Sequence, residues 1–115
     1  MWADLSDSFY LCSAWKEKKL LGAALWEKGP WDEVAHLHKI FVRKEAEGKG
    51  IARQVLEESA VFLRKLGAKN LYLEVAITNE RAITFYHKAG FKQLVVKKRF
   101  YRDGTDAFAM QKELN

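Results

Sequence analysis

Hydrophobic residues recur along the chain with two different spacings, which predict where strands and helices lie. Apolar runs bounded by turn residues are typical of strands, whereas apolar residues three or four positions apart indicate a helix. The strand pattern covers residues 8–16, 19–28, 34–42, 70–77, 91–101 and 105–113. The helical pattern covers residues 50–66 and 80–89.

These elements follow the order strand, strand, strand, helix, strand, helix, strand, strand. Turn residues join the first two strands at Glu17-Lys18 and the last two at Asp103-Gly104, so each pair is predicted to be an antiparallel hairpin. The third strand, the first helix and the fourth strand should form a right-handed parallel crossover. We therefore expect a single α/β (α+β) domain, with a mixed, mostly antiparallel sheet, a central parallel strand pair and flanking helices.

The composition limits the class of protein. A length of 115 residues, with 49% hydrophobic and 30% charged residues, suits one globular domain. The formal net charge of +5 is compatible with a solvated surface or with acidic ligands such as a phosphorylated cofactor. A single cysteine, Cys12, excludes an intrachain disulfide, and its apolar neighbours predict a buried, inert thiol.

The start of the chain and its apolar runs bear on localisation. Residues 1–4 lack the basic and apolar segments of a signal peptide. The longest apolar run, residues 20–26, is too short to cross a bilayer. We therefore expect a cytoplasmic protein without a membrane partner.

A glycine-bearing loop joins the third strand to the first helix. Free N–H groups at a helix N-terminus, together with the helix dipole, can bind an anion such as a phosphate. Gly48, Gly50 and Ala52 let a ligand approach the backbone closely. Lys49 and Arg53 add positive charge, but the spacing matches neither a P-loop nor a dinucleotide fingerprint. Alone, the loop is either an anion site or a plain connection.

A second motif, residues 79–91 (NERAITFYHKAGF), follows the strand that carries Glu74. Paired with the glycine-bearing loop, it closely resembles the GNAT superfamily of N-acetyltransferases. The resemblance extends from the third predicted strand to the C-terminus and, more loosely, over the first two strands. The chain is most similar to the N-terminal amine acetyltransferases that modify ribosomal and other proteins, on residues 73–75 (LEV), 99–101 (RFY) and 106–110 (DAFAM).

The resemblance implies an acetyl-CoA-dependent N-acetyltransferase that acts by direct attack of a primary amine in a ternary complex. The implied acceptor is a protein N-terminus or a small-molecule amine, and the implied cosubstrate is acetyl-CoA, without a metal. Two alternatives stay open: a non-catalytic CoA-binding or interaction module, and an acetyltransferase acting on aminoacyl-tRNA. A nucleic-acid partner is not favoured, because the basic residues form no patch interleaved with aromatic residues.

The resemblance also implies a cofactor site. The strand edge formed by Ile40, Phe41 and Val42 would hydrogen-bond the pantetheine arm, and Asn79 would contact the cofactor where neighbouring strands separate. The family's diphosphate-binding loop matches six consecutive residues: Gly48, Lys49, Gly50, Ile51, Ala52 and Arg53.

Three side chains are candidates for the chemistry. Tyr86 matches the tyrosine that lies near the thioester sulfur in the family, although it is also a plausible core aromatic. Glu74 matches the base of the N-terminal acetyltransferases; we expect desolvation in an apolar strand to raise its pKa, unless it lies on a solvated face. His36 is a second candidate for the base. It should share a face with His38, and both are alternatively ordinary strand residues.

The nature of the acceptor affects how strong a base is needed. An α-amine has a pKa near 7.7–8.0 and a lysine near 10.4, so deprotonation at pH 7 costs about 1 kcal/mol and about 4.6 kcal/mol, respectively. A carboxylate acting alone therefore favours an α-amine or another amine of low pKa. The backbone N–H of Val42 is the expected oxyanion donor.

Two departures from the family pattern are visible. Glu47 stands where the family usually has Gln or Arg, and a carboxylate there is unfavourable for a diphosphate. The family's usual first strand and two following helices have no clear counterpart in this shortened N-terminus. Trp2, Trp15, Trp26 and Trp31 all fall in the N-terminal third, where core packing is the usual explanation. Because the missing helices would leave part of this surface uncovered, a homodimer is expected.

Overall fold

All the predicted elements are present, and one further strand precedes them. The computed structural model describes the backbone of residues 2–4 and the whole of residues 8–115. The elements are β1 (Trp2–Asp4), β2 (Phe9–Lys16), β3 (Lys19–Glu27), β4 (Val34–Val42), α1 (Ile51–Lys65), β5 (Asn70–Ala76), α2 (Glu80–Lys88), β6 (Lys92–Lys97) and β7 (Ala107–Glu113). A short 3₁₀ helix, Lys44–Ala46, lies in the loop before α1.

In the described residues, the strands form one seven-stranded sheet in the order β1-β2-β3-β4-β5-β7-β6. The pair β4–β5 is parallel and every other neighbouring pair is antiparallel. The predicted mixed sheet with a central parallel pair is therefore confirmed. The last strand, β7, lies between β5 and β6, so the C-terminal hairpin is built onto the edge of β5.

The C-terminal hairpin is shorter than predicted. The predicted strands 91–101 and 105–113 are reduced to β6 and β7, and residues 98–106 form a long connecting loop. Two carboxylates explain the early end of the strands, because they accept backbone N–H groups that a ladder would otherwise use. Asp106 accepts from the N–H of Arg99, and Asp103 accepts from the N–H of Thr105, both at 2.9 Å.

The core between α1 and the sheet contains one buried polar pair. The fully buried Trp26 donates from its indole nitrogen to the hydroxyl of Ser59 at 3.0 Å. Ser59 in turn donates to the carbonyl of Val55, one helical turn earlier, at 2.6 Å. A pattern of apolar residues could not predict the role of this serine, because the residue itself is polar.

Gly22 of β3 fixes how closely the start of α1 approaches the sheet. A Cβ atom at this position would lie 2.8 Å from the carbonyl oxygen of Phe41 and 3.1 Å from a methyl group of Ile51. Since Ile51 is the first residue of α1, the helix begins directly above the end of β4. This placement brings the N-terminus of α1 to the end of β4.

The tryptophans differ in their surroundings. Trp26 is buried, whereas Trp15 is 48% and Trp31 94% exposed. The side chain of Trp2 lies outside the described residues, and the homodimer stays a prediction. Cys12 is buried, as predicted. In the described part of the chain, no helix has both the length and the apolar character needed to cross a membrane.

The buried pair makes a stability prediction. The substitution Ser59→Ala leaves the indole N–H of Trp26 without an acceptor in the core, and should lower the free energy of unfolding by about 1–3 kcal/mol. The control Val61→Ala, at a 58% exposed position of the same helix, should change it by less than about 0.5 kcal/mol. Urea denaturation measures both. Equal stabilities of the two variants would contradict the prediction.

Candidate active site

The parallel strands β4 and β5 stay together over only part of their length. Their ladder consists of three residue pairs and ends at His36 and Tyr72. Beyond this point β4 continues to Val42, paired among the described residues with β3 alone. A cleft of about 300 Å³ opens between the two strands. Its lining includes four residues predicted from the sequence: Ile40, Glu74, Asn79 and Tyr86.

A β-bulge in β4 lies beside this separation. On β3, Leu25 faces Lys39 and the next residue, Trp26, faces Leu37. His38 is therefore an extra residue without a direct partner on β3. An extra residue of this kind reverses the alternation of side chains beyond it.

The reversal decides which face the end of β4 presents. Before the bulge, Ala35 and Leu37 are buried. After it, Ile40 and Val42 are the partly covered residues, although strict alternation would have placed them on the face of His36. The bulge therefore moves these two residues to the helix side of the sheet.

The backbone N–H groups at the end of β4 alternate between the two edges of the strand. Arg43 donates its N–H to the carbonyl of Leu21 on the β3 side at 2.7 Å. Because successive N–H groups point in opposite directions, Phe41 also points towards β3, and Ile40 and Val42 point towards the cleft. The free edge of β4 thus has two N–H donors that its ladder with β3 does not use, one from Ile40 in the cleft and one from Val42 in the hollow beside it.

The glycine-bearing loop brings a helix N-terminus beside Val42, the last residue of β4, where the two line a second hollow. Gly48 and Gly50 have φ values of 76° and 78°, in the left-handed region, and a Cβ atom at either would meet nothing within 4 Å. Gly50 caps α1 without a side-chain hydrogen bond, and the N–H groups of Ile51, Ala52 and Arg53 have no partner within the helix. Both the loop and the first turn are therefore open to an anion.

The hollow in front of this helix end differs in part from the prediction. Five of the six predicted loop residues line it: Gly48, Gly50, Ile51, Ala52 and Arg53. The sixth, Lys49, lines a neighbouring hollow instead. Arg81, a residue not predicted from the sequence, supplies a further cation from the first turn of α2. Glu47 lies on the rim as well, and Arg53 is already paired with Glu57 at 3.0 Å.

Asn79 has a structural task in addition to its place in the cleft. Its side-chain oxygen accepts the backbone N–H of Ala82 at 3.1 Å, so Asn79 caps the N-terminus of α2. A side chain of this type satisfies a helix N–H that otherwise has no partner. The cap holds α2, and with it Tyr86, against the cleft.

Glu74 is held by two neighbours on opposite oxygens. His36 contacts Oε1 through Nε2 at 2.7 Å, and Lys97 donates to Oε2 at 2.9 Å. The carboxylate is enclosed, since only 8% of the side chain is exposed. Glu74 shares the face of Tyr72, as alternation predicted, but that face is not a fully solvated one.

The predicted direction of the Glu74 pKa is wrong. Burial raises the pKa, as expected, but hydrogen bonds from Lys97, Tyr72 and His36 outweigh the desolvation and hold it below the ordinary value. The apolar strand around Glu74 is visible in the sequence, whereas the cation that reaches it from two strands away is not. The carboxylate is therefore ionised at neutral pH.

Lys97 reaches Glu74 across β7 because small residues separate them. Glu74 faces Ala109 of β7, and Lys97 faces Ala107 of the same strand. The two alanines leave room for the ammonium group to lie over the ring of Tyr72, 5.3 Å from its centre. Hydrogen bonds to Tyr72 and Glu74 raise the pKa of Lys97.

Tyr86 is both a core aromatic and a residue of the cleft lining, and its place near a thioester sulfur stays a prediction. The residue is 8% exposed and packs edge-on against Phe91, with ring centres 5.6 Å apart, as a core aromatic would. It also lines the cleft. Burial, with a further contribution from Tyr101, raises the pKa of Tyr86 to about 12, so the hydroxyl keeps its proton at neutral pH.

The two histidines of β4 share a face, as predicted. Their ring centres are 4.4 Å apart, and the ring of His36 also packs against Tyr72 at 5.2 Å. His38 contacts Glu27 at 2.7 Å, whereas His36 contacts Glu74. Each ring therefore has its own carboxylate.

A family model matches the chain. The acetyltransferase (GNAT) family matches residues 1–91, and the chain belongs to this family. Among solved structures, the fold is similar to the ribosomal-protein-S18-alanine N-acetyltransferase of Escherichia coli, with a TM-score of 0.80 and 26% identity. That match covers 93% of this chain and 68% of the other.

Curated relatives match in sequence. The chain is 40% identical over 80 residues to an N-alpha-acetyltransferase of Saccharolobus solfataricus, which covers 69% of this chain and 48% of the relative. It is 35% identical over 78 residues to the N-alpha-acetyltransferase RimI of Mycobacterium tuberculosis, covering 67% and 48%. The chain thus spans about half the length of the curated relatives it matches.

The contacts of Glu74 with Lys97 and His36 lead to a prediction about the pKa of Glu74. In the variant Lys97→Met the desolvation remains while a hydrogen bond that lowers the pKa is lost, so the pKa of Glu74 should rise. Carbon-13 NMR titration of the side-chain carboxyl groups measures this change. The matched control is Lys98→Met, because the neighbouring ammonium pairs with Asp106 at 3.3 Å and not with Glu74. An unchanged or lower Glu74 pKa in Lys97→Met would refute the assignment.

Proposed function

We propose that this domain transfers the acetyl group of acetyl-CoA to a primary amine, by direct attack within a ternary complex. The observation that carries the proposal is that three features follow one another along the free half of β4: the cleft lined by Glu74 and Tyr86 beside Ile40, the unused backbone N–H groups of the strand, and the open N-terminus of α1 beside Val42. Membership of the acetyltransferase family and the names of the relatives support it.

The residues present are compatible with an acyl-CoA. Pantetheine carries amide groups, and the N–H donors of Ile40 and Val42 would bind its carbonyl oxygens as an added strand would. The diphosphate would lie at Gly48, Gly50 and the first turn of α1, where the open space at both glycines lets its oxygens approach the backbone. Arg81 adds a cation to the same hollow, which offsets the carboxylate of Glu47.

The transfer forms a carbon–nitrogen bond and breaks a carbon–sulfur bond. The neutral amine attacks the thioester carbonyl, and the N–H of Val42 stabilises the negative charge that develops on the carbonyl oxygen. The tetrahedral centre then expels the thiolate, to which Tyr86 donates its proton. Glu74 accepts the proton lost by the attacking nitrogen and releases it to solvent, from which Tyr86 regains a proton, so the products are an N-acetyl amine and free coenzyme A.

The charge state of Glu74 restricts the acceptor. A carboxylate with a lowered pKa is ready to accept a proton but is a weak base, so it draws a proton poorly from an ammonium of high pKa. His36, in contact with the same carboxylate, is positioned to share the proton. We infer an acceptor that is partly neutral at physiological pH, either the α-amine of a protein N-terminus or a small amine of low pKa.

The catalytic assignment predicts the effect of two substitutions. Tyr86→Phe removes the proton donor and Glu74→Gln removes the proton acceptor, and each should lower kcat by about 10²–10⁴-fold. The binding of coenzyme A should be unchanged, since neither side chain holds the diphosphate. Release of free thiol from acetyl-CoA, followed with peptides of free N-terminus and with small amines, measures the rates.

The control for these variants is Glu113→Gln, a change of the same kind at an exposed residue of β7, which should leave kcat unchanged. Full activity of Tyr86→Phe or of Glu74→Gln would remove that residue from the mechanism. If the unmodified domain acetylated none of the amines tested, the proposed function would be contradicted.

The pH dependence should follow the acceptor and not the enzyme. Glu74 is ionised above its lowered pKa and Tyr86 is protonated below about 12, so neither titrates between pH 6 and pH 9. The value of kcat/KM should therefore rise up to about pH 8 with an α-amine, and continue to rise towards about pH 10 with a lysine side chain. The same midpoint for both acceptors would show that an enzyme group controls the rate.

A further inference from the structure

Three metal-binding side chains converge beside the cleft, on the face of the sheet that carries Glu74. Glu27 ends β3 and lies directly opposite His36 of β4, and His38 is two residues further along β4. One possible ligand atom from each residue lies within 4.8 Å of the others. Among the described residues, this group alone brings three histidine, cysteine or carboxylate side chains close enough to hold a metal ion together.

The β-bulge explains the convergence. Because His38 is the extra residue of the bulge, its ring turns onto the ring of His36, with centres 4.4 Å apart, and reaches Glu27 at 2.7 Å. The side chains are accessible, at 33% exposed for His36, 36% for His38 and 43% for Glu27. A cation from solvent can enter without any movement of the sheet.

We propose that Glu27, His36 and His38 form a binding site for a divalent transition-metal cation such as zinc. Two imidazoles and one carboxylate are a ligand set that suits zinc, and three protein ligands leave a fourth position open to water. Zinc–ligand distances of about 2.0–2.2 Å place tetrahedral ligands about 3.4 Å apart. Half-exposed side chains at the end of a hairpin can close to that spacing by small rotations.

Glu74 holds the His36 ring without being one of the three proposed ligands. Histidine ligands usually give their other ring nitrogen to a carboxylate, which orients the ring and raises its basicity as a ligand. Glu74 already holds one nitrogen of His36 at 2.7 Å. Lys97 is paired with the second oxygen of Glu74, so its charge is matched.

The metal site and the proposed acceptor site share His36 and Glu74. Metal binding would fix His36 as a ligand and block the approach of an amine to Glu74, so zinc should inhibit transfer. This consequence rests on the proposed function. The binding of the metal does not, because it depends only on the three ligands.

Calorimetric titration of the full chain with zinc chloride, without coenzyme A or acceptor, tests the site. The unmodified protein should bind one zinc ion. Both His38→Ala and Glu27→Gln should weaken binding by at least about tenfold. The control His87→Ala removes an exposed histidine of α2 and should bind zinc as the unmodified protein does. Circular dichroism establishes that each variant is folded.

The outcomes separate the two proposals. Three results would overturn the metal site. The unmodified protein could fail to bind zinc, both ligand variants could bind it unchanged, or His87→Ala could lose the binding. In the thiol-release assay, zinc should inhibit the unmodified protein and spare His38→Ala, and zinc binding without inhibition would overturn the link to catalysis. Zinc binding by a protein that acetylates no amine would leave the metal site standing and contradict the proposed function alone.

Discussion

The site depends on one constraint, the short ladder between the parallel strands β4 and β5. Pairing stops at His36, and the bulge at His38 lies immediately beyond it. A continuous ladder would consume the N–H groups of Ile40 and Val42 and would fill the cleft that Glu74 and Tyr86 line. The separation is maintained from both sides, because β3 pairs with the free half of β4 and β7 pairs with all of β5.

The same separation sets the electrostatics of the site. Burial in the cleft raises the pKa of Tyr86. Lys97 and His36 nevertheless reach the carboxylate of Glu74. Burial and hydrogen bonding therefore act in opposite directions on Glu74, and hydrogen bonding prevails. An acid that keeps its proton and a carboxylate that stays charged are held in one cleft, which suits an acceptor amine that is already partly neutral.

The sequence predicted those features that depend on local pattern. The periods of apolar residues located both helices, and the two motifs located Glu74, Asn79 and Tyr86 in one cleft. The contact between Lys97 and Glu74 was not predictable, because it depends on the register of β5, β7 and β6 and on two alanines between them. The length of the last hairpin was also missed, since its strands end through side-chain hydrogen bonds.

The central claim is that the free edge of β4 and the N-terminus of α1 bind coenzyme A. Titration of the nitrogen-15-labelled chain with coenzyme A, followed by amide NMR, tests it most directly. We expect the largest shifts at Ile40, Val42 and residues 48–53, and smaller ones at Phe41, whose N–H points towards β3. A spectrum that does not change on addition of coenzyme A, or that changes only away from these amides, would contradict the account.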